Sequence, residues 1–154
     1  MIRLSGIALV TAIVAFATPV VAQDRVEVGV LECQGGTNSF IVGSVTELTC
    51  VFKSSSGPSS PYHATIRRVG VDLGLNQRVA VAWAVLAPSR GWRGDLAGSY
   101  VGASASATLG VGLGANALIG GSNNTIALQP LSGQAQTGLS IAAGVAGMEL
   151  RSGR

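Results

Sequence analysis

Hydrophobic and polar residues alternate along most of the sequence after residue 25. The alternation is clear in residues 26–30, 48–53 and 62–73, and in residues 79–86 valines and a tryptophan alternate with alanines. A period of two places successive side chains on opposite faces of a β-strand. The pattern therefore predicts a strand in each of these four segments.

The last third of the chain continues this period with small residues. Residues 96–148 contain no charged residue and no histidine, and Gly, Ala and Ser occupy many positions of residues 101–119. Further strands are predicted between residues 125 and 150. Because glycine weakens an isolated strand, tertiary packing must order this region. The predicted fold is all-β, either a single antiparallel sandwich or a small barrel with Gly/Ala-rich strands.

Clusters of Gly, Ser, Pro and Asn predict the turns and loops between these strands. They occupy residues 35–38, 54–61, 88–94 and 120–124. The cluster at residues 35–38 is expected to end the first strand soon after Cys33.

The first 22 residues have the pattern of a secretory signal peptide. Arg3 gives a positive amino-terminal region, Ile7 to Phe16 form a short apolar run, and Ala22 is a small residue suited to the cleavage position. The run is shorter than the roughly 20 residues that a membrane-spanning helix needs. We therefore predict cleavage after Ala22, a periplasmic or secreted location, and one β-rich domain in residues 23–154.

Export changes the interpretation of the two cysteines, Cys33 and Cys50. A cysteine pair in an oxidising compartment indicates a disulfide, and each cysteine lies in an alternating segment that predicts a strand. Zinc binding is the alternative, but two thiols with no histidine nearby make a poor zinc site. The predicted bond would join neighbouring strands.

Composition and charge exclude several classes of protein. Of the 154 residues, 47% are hydrophobic and 11% are charged, and the formal net charge is +3. Soluble domains carry about 25% charged residues. The low charge and high hydrophobic content exclude a disordered tail and a coiled coil, and the small net charge argues against a nucleic-acid partner.

No motif predicts catalysis, a cofactor or a metal. Gly112, Gly114 and Ala117 match a loose dinucleotide-binding fingerprint, but the next acidic residue is Glu149 and the surrounding residues predict a strand. The fingerprint requires the start of a helix and an acidic residue about 20 positions later. His63, the only histidine, has no Gly-x-Ser-x-Gly motif to accompany it and is predicted to lie at the surface. We therefore expect a protein that is not an enzyme and binds no cofactor.

Arg90, Trp92 and Arg93 are the candidate ligand-binding residues. They lie together in the loop predicted at residues 88–94. An amphipathic indole beside cations suits an interface with anionic lipid headgroups or a cell-surface polysaccharide. The alternative is a pair of ordinary solvated arginines beside a partly buried tryptophan.

Several longer motifs resemble an uncharacterised bacterial family. They include Val28-Gly-Val-Leu-Glu-Cys33, Leu48-Thr-Cys-Val-Phe52, Val81-Ala-Trp-Ala-Val-Leu-Ala-Pro88 and Leu96-Ala-Gly-Ser-Tyr-Val-Gly-Ala-Ser-Ala105. Over nearly all of residues 23–154 the chain resembles the domain-of-unknown-function family numbered 992, small exported proteins of alphaproteobacteria. The resemblance implies a single exported domain with both family cysteine positions present, and it implies no activity.

Two functions of different classes fit these features. The first is a non-enzymatic envelope protein that binds lipid or another apolar ligand, because a barrel with a Gly/Ala interior would leave room for an acyl chain. The alternative is a self-associating structural protein of the cell surface, present as a homo-oligomer. It follows from the uncharged strands, which lack the charges that normally prevent sheet edges from pairing with other chains.

Overall fold

The alternating segments form strands. The structure is a computed structural model that describes residues 24–40, 43–69, 77–102, 117–131 and 147–154. Its eight strands are β1 (Val26–Phe40), β2 (Gly43–Ser54), β3 (Ser60–Val69), β4 (Gln77–Ala87), β5 (Gly98–Gly102), β6 (Leu118–Gly120), β7 (Ile126–Pro130) and β8 (Gly147–Ser152). The predicted signal peptide and the strand candidates within residues 103–116 and 138–143 lie outside the described residues.

The strands close into an antiparallel barrel. Their order is β1-β2-β3-β8-β5-β6-β7-β4, and β4 pairs with β1 to complete the ring. The carboxy-terminal strand β8 lies between β3 and β5. This arrangement confirms the all-β prediction and selects the barrel from the two predicted architectures. Each described strand has a partner on both of its edges.

The barrel interior is a packed hydrophobic core. Tyr62, Ala64 and Ile66, at alternate positions of β3, point inward and are buried. A large aliphatic or aromatic side chain contributes about 1.5–3 kcal/mol when it is fully buried. The largest fully buried side chains come from all around the ring and include Trp83, Tyr100, Leu31, Leu96, Leu118, Ile126, Leu128 and Leu150.

The turn predicted at residues 35–38 is wrong, because β1 runs straight through this segment and stays paired with β2. Gly35 allows the two strands to lie close together, since a Cβ at this position would overlap the backbone oxygen of Glu47. Thr37 and Thr46 lie opposite each other, and their hydroxyl oxygens are hydrogen-bonded at 2.8 Å. These small residues serve close strand pairing rather than a change of chain direction.

Cys33 and Cys50 form the predicted disulfide. They lie directly opposite each other in the pairing of β1 with β2, with their Cα atoms 4.0 Å apart. Both are buried in the core. A disulfide of this kind indicates an oxidising, extracytoplasmic compartment. Within the part of the chain that the structure describes, no helix is long and apolar enough to span a membrane.

Three connections meet at one end of the barrel, which we call the loop end. Residues 55–59 join β2 to β3, residues 88–97 join β4 to β5, and residues 121–125 join β6 to β7. The last of these contains a short 3-10 turn with two asparagines at positive φ, which confirms the turn predicted there. β1 begins and β8 ends at this same end of the barrel.

Candidate ligand-binding site

The loop of residues 88–97 holds its tryptophan against the barrel. The backbone N–H of Trp92 donates to the carbonyl oxygen of Ser89 at 3.2 Å, which closes a turn. The indole is half-buried and packs against the hydrophobic core together with Val26. Gly94 makes room for the ring, because a Cβ at Gly94 would lie 2.7 Å from Cζ2 of Trp92. The indole is therefore packed in a defined position at the loop end.

The two arginines of the loop, Arg90 and Arg93, are close to Trp92 in sequence and are exposed. The ion pairs among the described residues do not include either guanidinium group. The structure thus brings the three predicted residues together on one loop. Their role in ligand binding stays a prediction.

Asp95 fastens the loop to the barrel. Its Oδ1 accepts hydrogen bonds from the backbone N–H of Ala97 at 2.9 Å and from the hydroxyl of Tyr62 at 3.0 Å. Its Oδ2 accepts a third from the hydroxyl of Ser152 in β8 at 2.9 Å. One carboxylate therefore links the loop to β3 and to the last strand. Because these bonds use both of its oxygens, Asp95 is a structural acceptor rather than a partner for the neighbouring arginines.

Leu96 and Tyr100 fasten the loop further. The side chain of Leu96 is fully buried, and its backbone N–H donates to the Tyr62 hydroxyl at 3.3 Å. The Tyr100 hydroxyl in turn donates to the Leu96 carbonyl oxygen at 2.6 Å. Both backbone groups of a buried residue are thus satisfied by tyrosine side chains. We call Tyr62, Asp95, Leu96, Tyr100 and Ser152 the loop anchor.

The protonation equilibria of the anchor follow from these contacts. The Ala97 N–H, with smaller contributions from the Ser152 and Tyr62 hydroxyls, lowers the pKa of Asp95, although partial burial opposes this effect. Burial raises the pKa of Tyr62, and the adjacent Asp95 carboxylate adds to the increase. Burial also raises the pKa of Tyr100, and to a greater extent. Near neutral pH the anchor therefore contains one carboxylate and two neutral phenols.

The outer face of the barrel, which we call the outer wall, carries a groove. This groove of about 600 Å³ lies over β4, β1 and β2, on the outside of the barrel. Ala80 and Ala82 line it from β4, and Glu32 lines it from β1 beside Lys53 of β2. Lys53 Nζ and Glu32 Oε2 form an ion pair at 2.7 Å.

Comparison with known proteins places the chain in a family. A family model described as protein of unknown function (DUF992) matches residues 12–151, and this match covers nearly the whole chain. The chain belongs to the DUF992 family. No curated protein and no solved structure matches it.

His63 and the glycine motif are the other residues that the sequence singled out in this DUF992 protein. His63 is exposed on the outer wall, opposite Thr49 on one side and Arg151 on the other. In the described ranges, no three metal-ligating side chains form a cluster. The glycine motif that resembles a dinucleotide fingerprint falls within residues 103–116, outside the described part of the chain.

Sequence reasoning did not predict the loop anchor or the groove of this DUF992 protein. A local signal for the anchor was present, because Asp followed two residues later by a free backbone N–H forms an Asx-turn, and Asp95 and Ala97 make this contact. The partners of Asp95 on β3 and β8 gave no such signal. The groove depends on the register of three strands, which alternation alone does not define.

Proposed function

We propose that this DUF992 protein is an exported, non-enzymatic binding protein of the cell envelope that attaches to anionic lipid through Arg90, Trp92 and Arg93. The observation that carries the proposal is an indole packed on the core in a loop whose two exposed arginines form no ion pair with the described residues. Its disulfide supports a periplasmic or secreted location.

The chemistry of the loop suits a lipid headgroup region. A guanidinium group binds phosphate oxygens through two parallel hydrogen bonds. An indole with one apolar side and one polar N–H is favoured at the boundary between headgroups and acyl chains. The loop anchor fixes the loop at Asp95 and Leu96, close to Arg93 in sequence, so that less backbone entropy of the loop is lost on binding.

The barrel interior supports binding at an outer surface rather than in a lumen. Trp83 and Tyr100 are among the large side chains that are fully buried inside the ring, where an enclosed acyl chain would otherwise lie. A non-enzymatic role is supported by the state of the described ionisable groups, since His63 is exposed on the wall and the Asp95 carboxylate is used by the anchor.

Co-sedimentation with lipid vesicles tests this function. Each basic residue near an anionic membrane contributes about 1 kcal/mol to binding, so Arg90→Gln with Arg93→Gln should weaken partitioning onto phosphatidylglycerol-containing vesicles by roughly 30-fold. The matched control is Arg67→Gln with Arg78→Gln, which removes two exposed arginines from the strand wall. Equal losses in the two double variants would indicate only general charge attraction, and no binding by the unmodified protein would exclude the proposal.

Self-association remains the alternative function. It was predicted from strands with unprotected edges, but each described strand is paired on both sides in the closed ring, so edge pairing gives it less support. Sedimentation equilibrium over a wide concentration range distinguishes the lipid-binding from the self-association proposal, because a lipid-binding monomer keeps one mass while a self-associating protein forms larger species.

A further inference from the structure

The groove on the outer wall has the dimensions of a small-molecule site. It is bounded by three strands, and the register places Ala82 opposite Glu32 and Ala80 opposite Gln34. Ala80 is exposed and Ala82 is 4% exposed, while the longer side chains of Glu32 and Gln34 on β1 are exposed beside them. Its volume of about 600 Å³ lies within the range of roughly 300–1,000 Å³ that is typical of ligand pockets.

One wall of the groove offers a carboxylate and an ammonium group side by side. Glu32 and Lys53 lie 2.7 Å apart, and their side chains are 51% and 56% exposed. A solvent-exposed ion pair of this kind is weak, so a ligand can replace it at little cost. Gln34 and Thr49 line the same wall, and their amide and hydroxyl groups are further hydrogen-bonding partners.

The remaining lining of the groove is apolar. Val51, one of the two large hydrophobic residues with an exposed side chain among the described residues, is 40% accessible and faces the groove across from Ala80 and Ala82. A ligand that fits this surface has one positive group, one negative group and a short hydrophobic body between the ion pair and the alanines.

We propose that this groove binds a free zwitterion of amino-acid or short-peptide type, at a site separate from the loop end. Its ammonium group donates to the Glu32 carboxylate, its carboxylate accepts from Lys53, and its side chain packs on Ala80 and Val51. The volume of about 600 Å³ is sufficient for a molecule of this size.

Titration calorimetry with the disulfide-intact protein tests the site. The probes are leucine, N-acetyl-leucine, which lacks the positive charge, and leucinamide, which lacks the negative one. Leucine should bind about tenfold or more tightly than either, because each derivative loses one charge-assisted hydrogen bond. Glu32→Gln and Lys53→Gln should each weaken leucine binding by a similar factor, and Ala80→Trp should abolish it by filling the groove.

Two controls make the test specific. Glu149 and Arg151 form an exposed ion pair of the same 2.7 Å length that does not line the groove, so Glu149→Gln with Arg151→Gln should leave leucine binding unchanged. Val101→Trp adds an indole at another exposed valine of the wall and should likewise have no effect. Equal binding of the three probes, absence of leucine binding, or binding of lysophosphatidylethanolamine in preference to leucine would each overturn the proposal. Unchanged thermal unfolding of Ala80→Trp shows that its loss of binding is not a loss of fold.

Discussion

Removal of the Tyr62 hydroxyl should destabilise the protein, because this hydroxyl holds the loop that carries the candidate lipid site. Tyr62 is 6% exposed, and its hydroxyl makes two contacts of the loop anchor, one to the Asp95 carboxylate at 3.0 Å and one from the Leu96 N–H at 3.3 Å. Tyr62→Phe keeps the buried ring and removes both contacts. The change therefore measures the hydrogen bonds with little change in core packing.

The two contacts determine how much unfolding free energy Tyr62→Phe is expected to lose. A hydrogen bond to a charged group contributes about 1.5–3 kcal/mol, and a buried N–H left without a partner costs about 1–3 kcal/mol. The lower part of the first range applies, because Asp95 is accessible to solvent and water can replace the lost donor. The second cost applies to the Leu96 N–H, because this bond is buried. We expect Tyr62→Phe to lower the free energy of unfolding by about 3 kcal/mol and the Tm by roughly 10 °C.

Urea unfolding of the disulfide-intact protein measures this change. Tyr100→Phe is the matched control, since it removes one neutral bond to the Leu96 carbonyl oxygen and should cost about 1 kcal/mol. In a double-mutant cycle, Tyr62→Phe and Asp95→Ala should be coupled by about 1 kcal/mol or more. If Tyr62→Phe proves no more harmful than Tyr100→Phe, or if its effect adds fully to that of Asp95→Ala, the assignment of the anchor is wrong.

Three further predictions concern the described residues. Cys33→Ala with Cys50→Ala should lower the free energy of unfolding in urea by about 3 kcal/mol, because the bond closes a short loop of the unfolded chain; an unchanged midpoint would contradict this. Asp95 has a lowered pKa, so its stabilisation is complete above the ordinary value of 3.8 and is lost as the pH falls through the lowered value. The Tm difference from Asp95→Asn should therefore be constant at neutral pH and shrink under acid, and a constant difference throughout would refute the pKa direction. Gly120→Ala should lower the Tm, since a Cβ there would overlap a carbonyl oxygen of β5, whereas Gly91→Ala, with nothing within 4 Å, should leave the Tm unchanged.

Alternation predicted which side chains share one face of a strand. Tyr62, Ala64 and Ile66 lie together on a buried face of β3, and Trp83 lies with Val81 and Val85 on a buried face of β4. A barrel rather than a sandwich could not be predicted, because closure depends on contacts between distant segments. β8 pairs with β3 and β5, and β1 pairs with β4. The local sequence pattern of a strand does not indicate which distant strand it pairs with.

The error at residues 35–38 has a related cause. Gly-Gly-Thr-Asn has the composition of a turn, yet the same residue types suit a strand whose neighbours come unusually close. Gly35 faces the backbone of Glu47, and Thr37 bonds to Thr46. Local composition therefore could not distinguish a change of direction from close pairing, and the partner strand decides the outcome.

The position of the groove was the feature that the sequence predicted least well. Small residues suggested a roomy interior, but the described core is filled by side chains such as Trp83 and Tyr100, while Ala80 faces outward and lines the groove. Alternation assigns two faces to a strand without saying which face points inward. On β4 the core-facing side carries Val81, Trp83, Val85 and Ala87. On the opposite side Ala80 is exposed on the outer wall, whereas Ala82 and Ala84 are only 4% and 5% exposed. The two proposed sites therefore lie on the wall and at the loop end, where Glu32, Lys53 and the arginines of the loop are exposed to solvent.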